Sequence, residues 1–249
     1  MKKVFVRLLP LVIFLVIWEV LVHDNSTASF YYGSPLKIAR AFWIKTLDGS
    51  LWCDTLITTF ETIMGFIIGN VLGASIGLLL WFSRPIFNIS KPYIIALGSA
   101  PIFALSPLLV IWFGIGIPAK IVISVLSTFF VALLQAYNGA ANVDERYVEY
   151  FKAYKSSKWF TFKKLILPSS LTWVISAFKL NTGFALLGAF IGEYISSNAG
   201  LGHMIVINSG LFNIPNVLLG VLMMSTIALL LNKVVDIFEK PLRRAVSRI

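Results

Sequence analysis

The chain has 249 residues, of which 58% are hydrophobic and only 13% are charged. About a quarter of the residues are charged in a soluble domain, so this composition indicates an integral membrane protein. The net charge of +10 does not indicate nucleic-acid binding, because the basic residues gather in loops between apolar runs and form no separate basic domain. The single cysteine, Cys53, excludes an intramolecular disulfide.

The first apolar run, residues 7–23, has two interpretations. It follows Lys2 and Lys3 and begins at Arg7, an arrangement that also occurs in signal peptides. No clean Ala-x-Ala cleavage site comes after it, and its orientation fits the remaining topology. We therefore favour an uncleaved first membrane span.

Six apolar runs predict an all-α membrane bundle of about six transmembrane helices. They are residues 7–23, 56–82, 92–113, 118–137, 171–192 and 215–233. We expect Pro101 and Pro107 to break the third run, and we expect this span inside the bundle, where neighbouring helices can satisfy the carbonyls that proline leaves free. Between the first two runs, residues 36–44 predict either an amphipathic helix in the membrane interface or a connecting loop.

The basic residues indicate how the chain is oriented and divided. Sixteen of the 21 Lys and Arg residues lie on one side of the predicted spans, concentrated in the N-terminus, loops 83–91 and 138–170, and the tail. This bias predicts that both termini are cytoplasmic. We expect an N-terminal helix and external segment (1–54), a core (55–238) and a basic tail (239–249).

Glycines and polar residues inside the spans suggest packing more than chemistry. Gly65, Gly69, Gly73 and Gly77 recur every four residues and predict a face that another helix approaches closely. We favour structural roles for the ionisable residues Glu61, Lys179 and Glu193, because a proton-driven carrier needs acids nearer the membrane midplane. The residues that we consider for a translocation path are Pro101, Ser106, Asn181 and Glu193; for Asn181, helix packing is the alternative.

Motifs for membrane enzymes are absent from the sequence. It has no nucleotide-binding P-loop, no His-Glu-x-x-His and no Gly-x-Ser-x-Gly, and its two histidines, His23 and His203, are too few for a zinc site. An enzyme is therefore a weak hypothesis. A stand-alone channel or secondary carrier is a further hypothesis, and the positions of the acids near the ends of the spans count against it.

The most informative segment is the polar run 149–168, which carries five lysines between apolar runs. Just before and within it, Tyr147, Tyr150, Phe151 and Tyr154 follow the i, i+3, i+4, i+7 spacing of one helix face. A solvated basic helix is the ordinary interpretation of such a run. Four aromatic residues outside the membrane favour a surface that binds a partner.

This segment resembles the EAA loop of permease subunits from binding-protein-dependent ABC importers. Glu149 takes the glutamate position, Leu165 the isoleucine position, and Leu167 and Pro168 the Leu-Pro that ends the pattern. Residues 100–121 and 191–205 also resemble the nitrate, sulfonate and taurine permeases. The sequence departs from the EAA pattern where Tyr150 and Phe151 replace two alanines and Lys155 replaces a glycine.

The resemblance implies a type I ABC importer permease in the bacterial cytoplasmic membrane, surrounded by lipid. It implies a second copy of the chain, two copies of an ATPase subunit that binds Mg-ATP, and an external solute-binding protein. No cofactor is expected in this chain. The implied substrate is a small oxyanion, such as nitrate, a sulfonate, taurine or bicarbonate, or a small organic nutrient.

In such importers the EAA segment forms a coupling helix that docks in a groove of the ATPase. The residues that would carry this contact or hold its geometry are Glu149, Tyr150, Phe151, Lys152, Tyr154, Lys155, Lys158, Trp159, Leu167 and Pro168. Glycine adopts positive φ freely and lysine does so only at a cost. At Lys155 we therefore expect either a longer helix or a partner with an unusual groove.

Overall fold

The computed structural model describes the backbone of residues 2–246 and the side chains of residues 9–239. Over this part of the chain we find twelve α-helices, one short π-helical segment and no strand. The helices are α1 (Lys2–His23), α2 (Ser26–Tyr32), α3 (Pro35–Leu47), α4 (Ser50–Leu80), α5 (Arg84–Ser99), α6 (Ile102–Phe113), α7 (Ile117–Ala141), α8 (Glu145–Ala153), α9 (Lys158–Thr161), α10 (Leu167–Ile195), α11 (Leu201–Gly210) and α12 (Ile214–Val246). The π-helical segment, Phe162–Ile166, joins α9 to α10.

The helices confirm the predicted all-α membrane bundle. Among the described residues, four helices are long and apolar enough to cross a membrane: α4, α7, the continuous helix Lys158–Ile195 and the Ile214–Glu239 part of α12. The pair α5 and α6 makes a fifth if it counts as one broken span. The first predicted span corresponds to α1, whose described apolar part, Leu9–His23, is shorter.

The third predicted span is bent by 91° between α5 and α6. Pro101 disfavours a helical conformation for the residue before it, and Ala100 is accordingly extended with ψ of 133°. Pro107, by contrast, lies within α6 without ending it. The expectation that this span lies inside the bundle is wrong for the single chain, because Ile111 and Trp112 are 77% and 66% exposed.

The centre of the bundle is the packing of α4, α7 and α10. The four glycines of α4 face α7, and a Cβ on Gly73 would lie 2.9 Å from the Cβ of Ala132. One on Gly77 would lie 3.0 Å from the Cβ of Ala136. Because these distances are shorter than normal van der Waals contact, the two helices can be this close only if α4 has glycine here.

Beside this centre, a hydrophobic cluster joins α3, α4, α11 and α12. It surrounds the fully buried Leu51 and Leu201 and the nearly buried Leu219. Here residues 36–44 form the predicted helix and not a loop. The α3 N-terminus is capped twice: Ser34 Oγ accepts from Lys37 N at 3.2 Å, and the Glu19 carboxylate of α1 accepts from Leu36 N at 3.1 Å. These caps satisfy amides that a helix leaves free at its start.

Candidate functional site

The segment predicted to bind a partner begins with α8, whose first turn has strong local start signals. The Asp144 carboxylate accepts a hydrogen bond from Arg146 N at 2.9 Å and forms an ion pair with the Arg146 guanidinium at 2.7 Å. Hydrogen bonds from the Arg146 side chain lower the pKa of Asp144. Glu145 in the first turn and Lys152 in the last complement the helix dipole. The helix thus forms although none of its residues is buried.

The aromatic face of α8 is divided between solvent and protein. Tyr147, Tyr150 and Tyr154 are 61%, 59% and 70% exposed, whereas Phe151 is half-buried and faces Phe160, with ring centres 6.3 Å apart. The rings of Tyr150 and Tyr154 lie 4.8 Å apart and their hydroxyls 3.3 Å apart. The three tyrosines therefore form an exposed stripe, a feature that usually marks a contact surface.

Lys155 adopts the conformation of the glycine that it replaces. Its φ is +54°, Lys155 N–H donates to Lys152 O at 2.8 Å, and Ser156 N–H donates to Phe151 O at 3.1 Å. These two bonds define a Schellman motif, the usual way to end a helix with glycine. The alternative that the helix continues past Lys155 is wrong. Lysine occupies this left-handed position at a cost of about 1 kcal/mol.

After the turn the chain returns to the membrane bundle. Ser157 caps α9 by accepting from Phe160 N at 3.2 Å. The π-helical segment ends where Leu167 and Pro168 begin α10. Proline cannot donate to the helical carbonyl four residues earlier, so a widened turn before Pro168 relieves the clash of its ring with that carbonyl. The predicted docking segment, residues 149–168, therefore runs directly into the membrane helix α10.

The remaining predicted docking residues differ in orientation. Glu149, Lys152 and Lys155 are exposed. Lys158 Nζ instead donates to the carbonyl of Phe82, and the Trp159 ring stacks on the Phe82 ring at 5.9 Å. Contact of all these residues with an ATPase stays a prediction.

A buried polar centre lies toward the opposite end of α4. Glu61 is fully buried and Lys120 of α7 is 4% exposed, with Glu61 Oε1 at 3.2 Å from Lys120 Nζ. Lys120 Nζ also donates to Ser197 Oγ at 2.7 Å, in the loop after α10. This pair ties α4 to α7 and to the end of α10, which supports the structural role favoured for Glu61.

Glu193 caps the N-terminus of α11 from the end of α10. Its carboxylate accepts from Thr58 Oγ1 at 2.7 Å and from Gly202 N at 2.7 Å, and Thr58 Oγ1 accepts from Leu201 N at 2.8 Å. A carboxylate at this position is stabilised by the helix dipole. A Cβ on Gly202 would lie 2.8 Å from that of Glu193, and Gly200 has φ of +109°, which explains both glycines of the Gly200-Leu201-Gly202 sequence.

The other residues considered for a translocation path have varied surroundings. Asn181 is fully buried, and its amide donates to Asn70 Oδ1 at 2.7 Å and to Thr128 O at 3.0 Å, which joins α10 to α4 and α7. Ser106 is buried and donates to a carbonyl within α6, whereas Pro101 is exposed at the bend. A role in a path stays a prediction for these residues and for Glu193.

The sequence interpretation missed part of the polar centre. Asp54, Thr58 and Glu61 occur at i, i+4 and i+7, the spacing of one helix face, and this signal was readable. Asp54 Oδ1 accepts from Gly200 N at 2.8 Å, so it too supports the start of α11. Within the described residues, no group of three or more His, Cys, Asp or Glu residues could hold a metal ion.

Comparison with known proteins identifies the family of this chain. The family model described as "Binding-protein-dependent transport system inner membrane component" matches residues 69–248. The chain belongs to this family. The resemblance found in the sequence is thereby confirmed, and because the family consists of permease subunits, the enzyme hypothesis is wrong.

Individual family members show how far the similarity extends. This permease is 28% identical over 235 residues to the putative aliphatic sulfonates transport permease protein SsuC of Bacillus subtilis, covering 94% of this chain and 85% of that one. It is 30% identical over 209 residues to the formylaminopyrimidine transport permease protein ThiX of Halalkalibacterium halodurans, covering 82% of each. A subunit of the MetNI methionine ABC transporter, in an inward-facing conformation, shares the fold with a TM-score of 0.65 at 18% identity, covering 82% of this chain and 98% of that one.

Proposed function

We propose that this permease is driven by a separate ATPase that docks on α8 and α9. The observation that carries this proposal is the exposed stripe of Tyr147, Tyr150 and Tyr154 on a helix that is capped at both ends. Such a rigid aromatic surface contributes contact area at a low cost in conformational entropy. Mg-ATP would be bound by the ATPase and not by this chain.

A second copy of the permease would complete the membrane part. The pair α5 and α6 leaves large apolar side chains exposed, among them Ile111 and Trp112. Burial of this face against a second copy would create a two-fold arrangement around a central path, with one ATPase for each copy. The lysines near α8 and α9, with the basic N-terminus and tail, support a cytoplasmic position for this end and for both termini.

The transported solute would be small and delivered by an external binding protein. Two of the relatives that match this chain are named for aliphatic sulfonates and for formylaminopyrimidine. We therefore propose a small oxyanion or a small organic nutrient as the substrate class. Recognition of the individual solute would belong to the binding protein.

The mechanism depends on how the docking segment joins the bundle. Closure of two ATPases around nucleotide would displace α8 and α9. Because Lys158–Ile195 is one continuous helix, this displacement would reach α10 directly. The bundle would then alternate between inward-open and outward-open packings, without any chemistry in the permease itself.

Photo-crosslinking tests where the ATPase binds. Benzoylphenylalanine would replace Tyr154 in one variant and Tyr32 in the control. Both side chains are strongly exposed, at 70% and 68%. Tyr32, however, lies at the end of α2, before α4 begins. Irradiation of cells should attach the ATPase at position 154 and not at position 32. An intact complex that crosslinks the ATPase at position 32 and not at 154 would refute the assignment.

A further inference from the structure

Lys158 lies in the docking segment but its ammonium group is directed at the end of α4. Lys158 Nζ donates to the carbonyl of Phe82 and lies 5.6 Å from the centre of the Trp81 ring and 5.8 Å from that of Phe82. It thus combines a charged hydrogen bond with two cation–π contacts. These contacts bridge 76 residues of sequence.

The end of α4 is suited to receive a cation. The turn that follows it is tightened by i to i−3 hydrogen bonds, with Phe82 N donating to Leu79 O at 3.0 Å and Ser83 N donating to Leu80 O at 3.2 Å. The final carbonyls of a helix have no helical partner and carry the negative end of its dipole. Lysine near such an end hydrogen-bonds these carbonyls favourably.

Aromatic rings add to the contact between Lys158 and the end of α4. Trp159 stacks on Phe82, with ring centres 5.9 Å apart. The nearly buried Phe162 packs on Trp81 at 5.8 Å and on Phe82 at 4.9 Å. Three contacting side chains from α9 and the π-helical segment therefore hold one helix end, which makes independent movement of the two parts costly.

We propose that Lys158 is a positioning residue that fastens the docking segment to α4, so that α4 moves with this segment when the ATPase moves. The inference rests on the proposed function, because it assumes that an ATPase binds α8 and α9. It also differs from the sequence expectation, in which Lys158 contacts the ATPase itself.

The consequence concerns the far end of α4. Thr58 is separated from Leu80, where α4 ends, by about 33 Å of helix at 1.5 Å per residue. At this far end of α4, Thr58 hydrogen-bonds to Glu193, which caps α11, and Glu61 pairs with Lys120 of α7. A displacement at the docking segment therefore reaches the buried polar centre along one helix, in addition to the direct route through α10.

The test uses the permease–ATPase complex in lipid nanodiscs and three lysine variants. Lys158→Met removes the charge and keeps the length, Lys158→Arg restores a cation, and Lys164→Met is a matched control at an exposed lysine of the same segment. Three quantities are measured: ATPase retained on the tagged permease, ATP hydrolysis, and amide hydrogen exchange of residues 78–83 with and without Mg-ATP and vanadate.

In the wild type and in Lys164→Met, vanadate trapping should change exchange in residues 78–83 and 154–161 together. In Lys158→Met the ATPase should remain bound, the change in residues 78–83 should disappear, and hydrolysis should fall about tenfold, as for one lost hydrogen bond to a charged donor. Lys158→Arg should restore both.

Two results would overturn the inference while the proposed function stands. In the first, Lys158→Met keeps the exchange response of residues 78–83 with the ATPase bound. In the second, Lys158→Met loses the ATPase, which makes Lys158 a direct contact. Recovery of the wild-type permease without any ATPase would overturn both proposals.

Discussion

Replacement of Lys120 by methionine tests the buried polar centre most severely. The substitution keeps the length of the side chain and removes its charge. Glu61 would then be fully buried without the ammonium group that now lies 3.2 Å from its carboxylate. The other ionisable group that acts on Glu61 is the Glu193 carboxyl, which supplies no positive charge to replace that of Lys120.

The expected cost can be worked out from this geometry. Two unit charges at 3.2 Å attract each other by about 5 kcal/mol at an effective dielectric constant of about 20. Removal of one partner from a buried ion pair typically costs about 3–5 kcal/mol, in agreement with that figure. Replacement of both partners by apolar residues is often nearly neutral, so Lys120→Met combined with Glu61→Leu should recover most of the loss.

The assay is the thermal stability of a fluorescent fusion, measured by size-exclusion chromatography in detergent after heating. Lys120→Met should lower the apparent melting temperature by on the order of 10 °C. The double variant should melt within a few degrees of the wild type, as should the control Lys91→Met at an exposed lysine. A single variant as stable as the wild type, or a double variant less stable than the single, would refute the reasoning.

Three further predictions concern α4, the Lys155 turn and the α8 cap. Gly73→Ala should destabilise by about 1–3 kcal/mol through overpacking, whereas Gly183→Ala, where a Cβ meets nothing within 4 Å, should be neutral or stabilising; equal thermal stability of the two variants would contradict the close contact of α4 and α7. Lys155→Gly should stabilise the turn by up to about 1 kcal/mol, seen as slower amide exchange at residues 154–156, and faster exchange would contradict the left-handed conformation. The pKa of Asp144 is lowered, chiefly by hydrogen bonds from the Arg146 side chain, so its contribution to α8 is complete above the ordinary aspartate pKa and is lost as the pH falls through the lower folded value. Acid should therefore increase amide exchange in α8, relative to intrinsic rates, in the wild type but not in Asp144→Asn, and an equal response in both would exclude this cap.

The sequence predicted the helical bundle well because apolar run length is a local property. Runs of about 20 apolar residues require a helix across a membrane wherever the rest of the chain lies. The break near Pro101 was also foreseeable, since proline restricts the residue before it. The packing of that span was not, because it depends on which helices surround it.

Contacts between distant residues explain what the sequence did not reveal. Lys158 was expected to contact the ATPase, and only the position of the α4 end, 76 residues earlier, gives its ammonium group the Phe82 carbonyl as a partner. Lys120 lies at the start of the predicted span 118–137, and nothing near it in the sequence indicated that α7 would place it beside Glu61. The turn at Lys155 could not be predicted either, because a lysine with positive φ contradicts its own local preference.

Affinity purification of the tagged chain from its native membrane tests the central claim most directly, with mass spectrometry of the proteins that accompany it. If this permease is driven by a separate ATPase, a P-loop ATPase should be recovered in equal amount. Recovery of the chain alone, together with solute movement in liposomes without ATP, would contradict the account and support a stand-alone carrier.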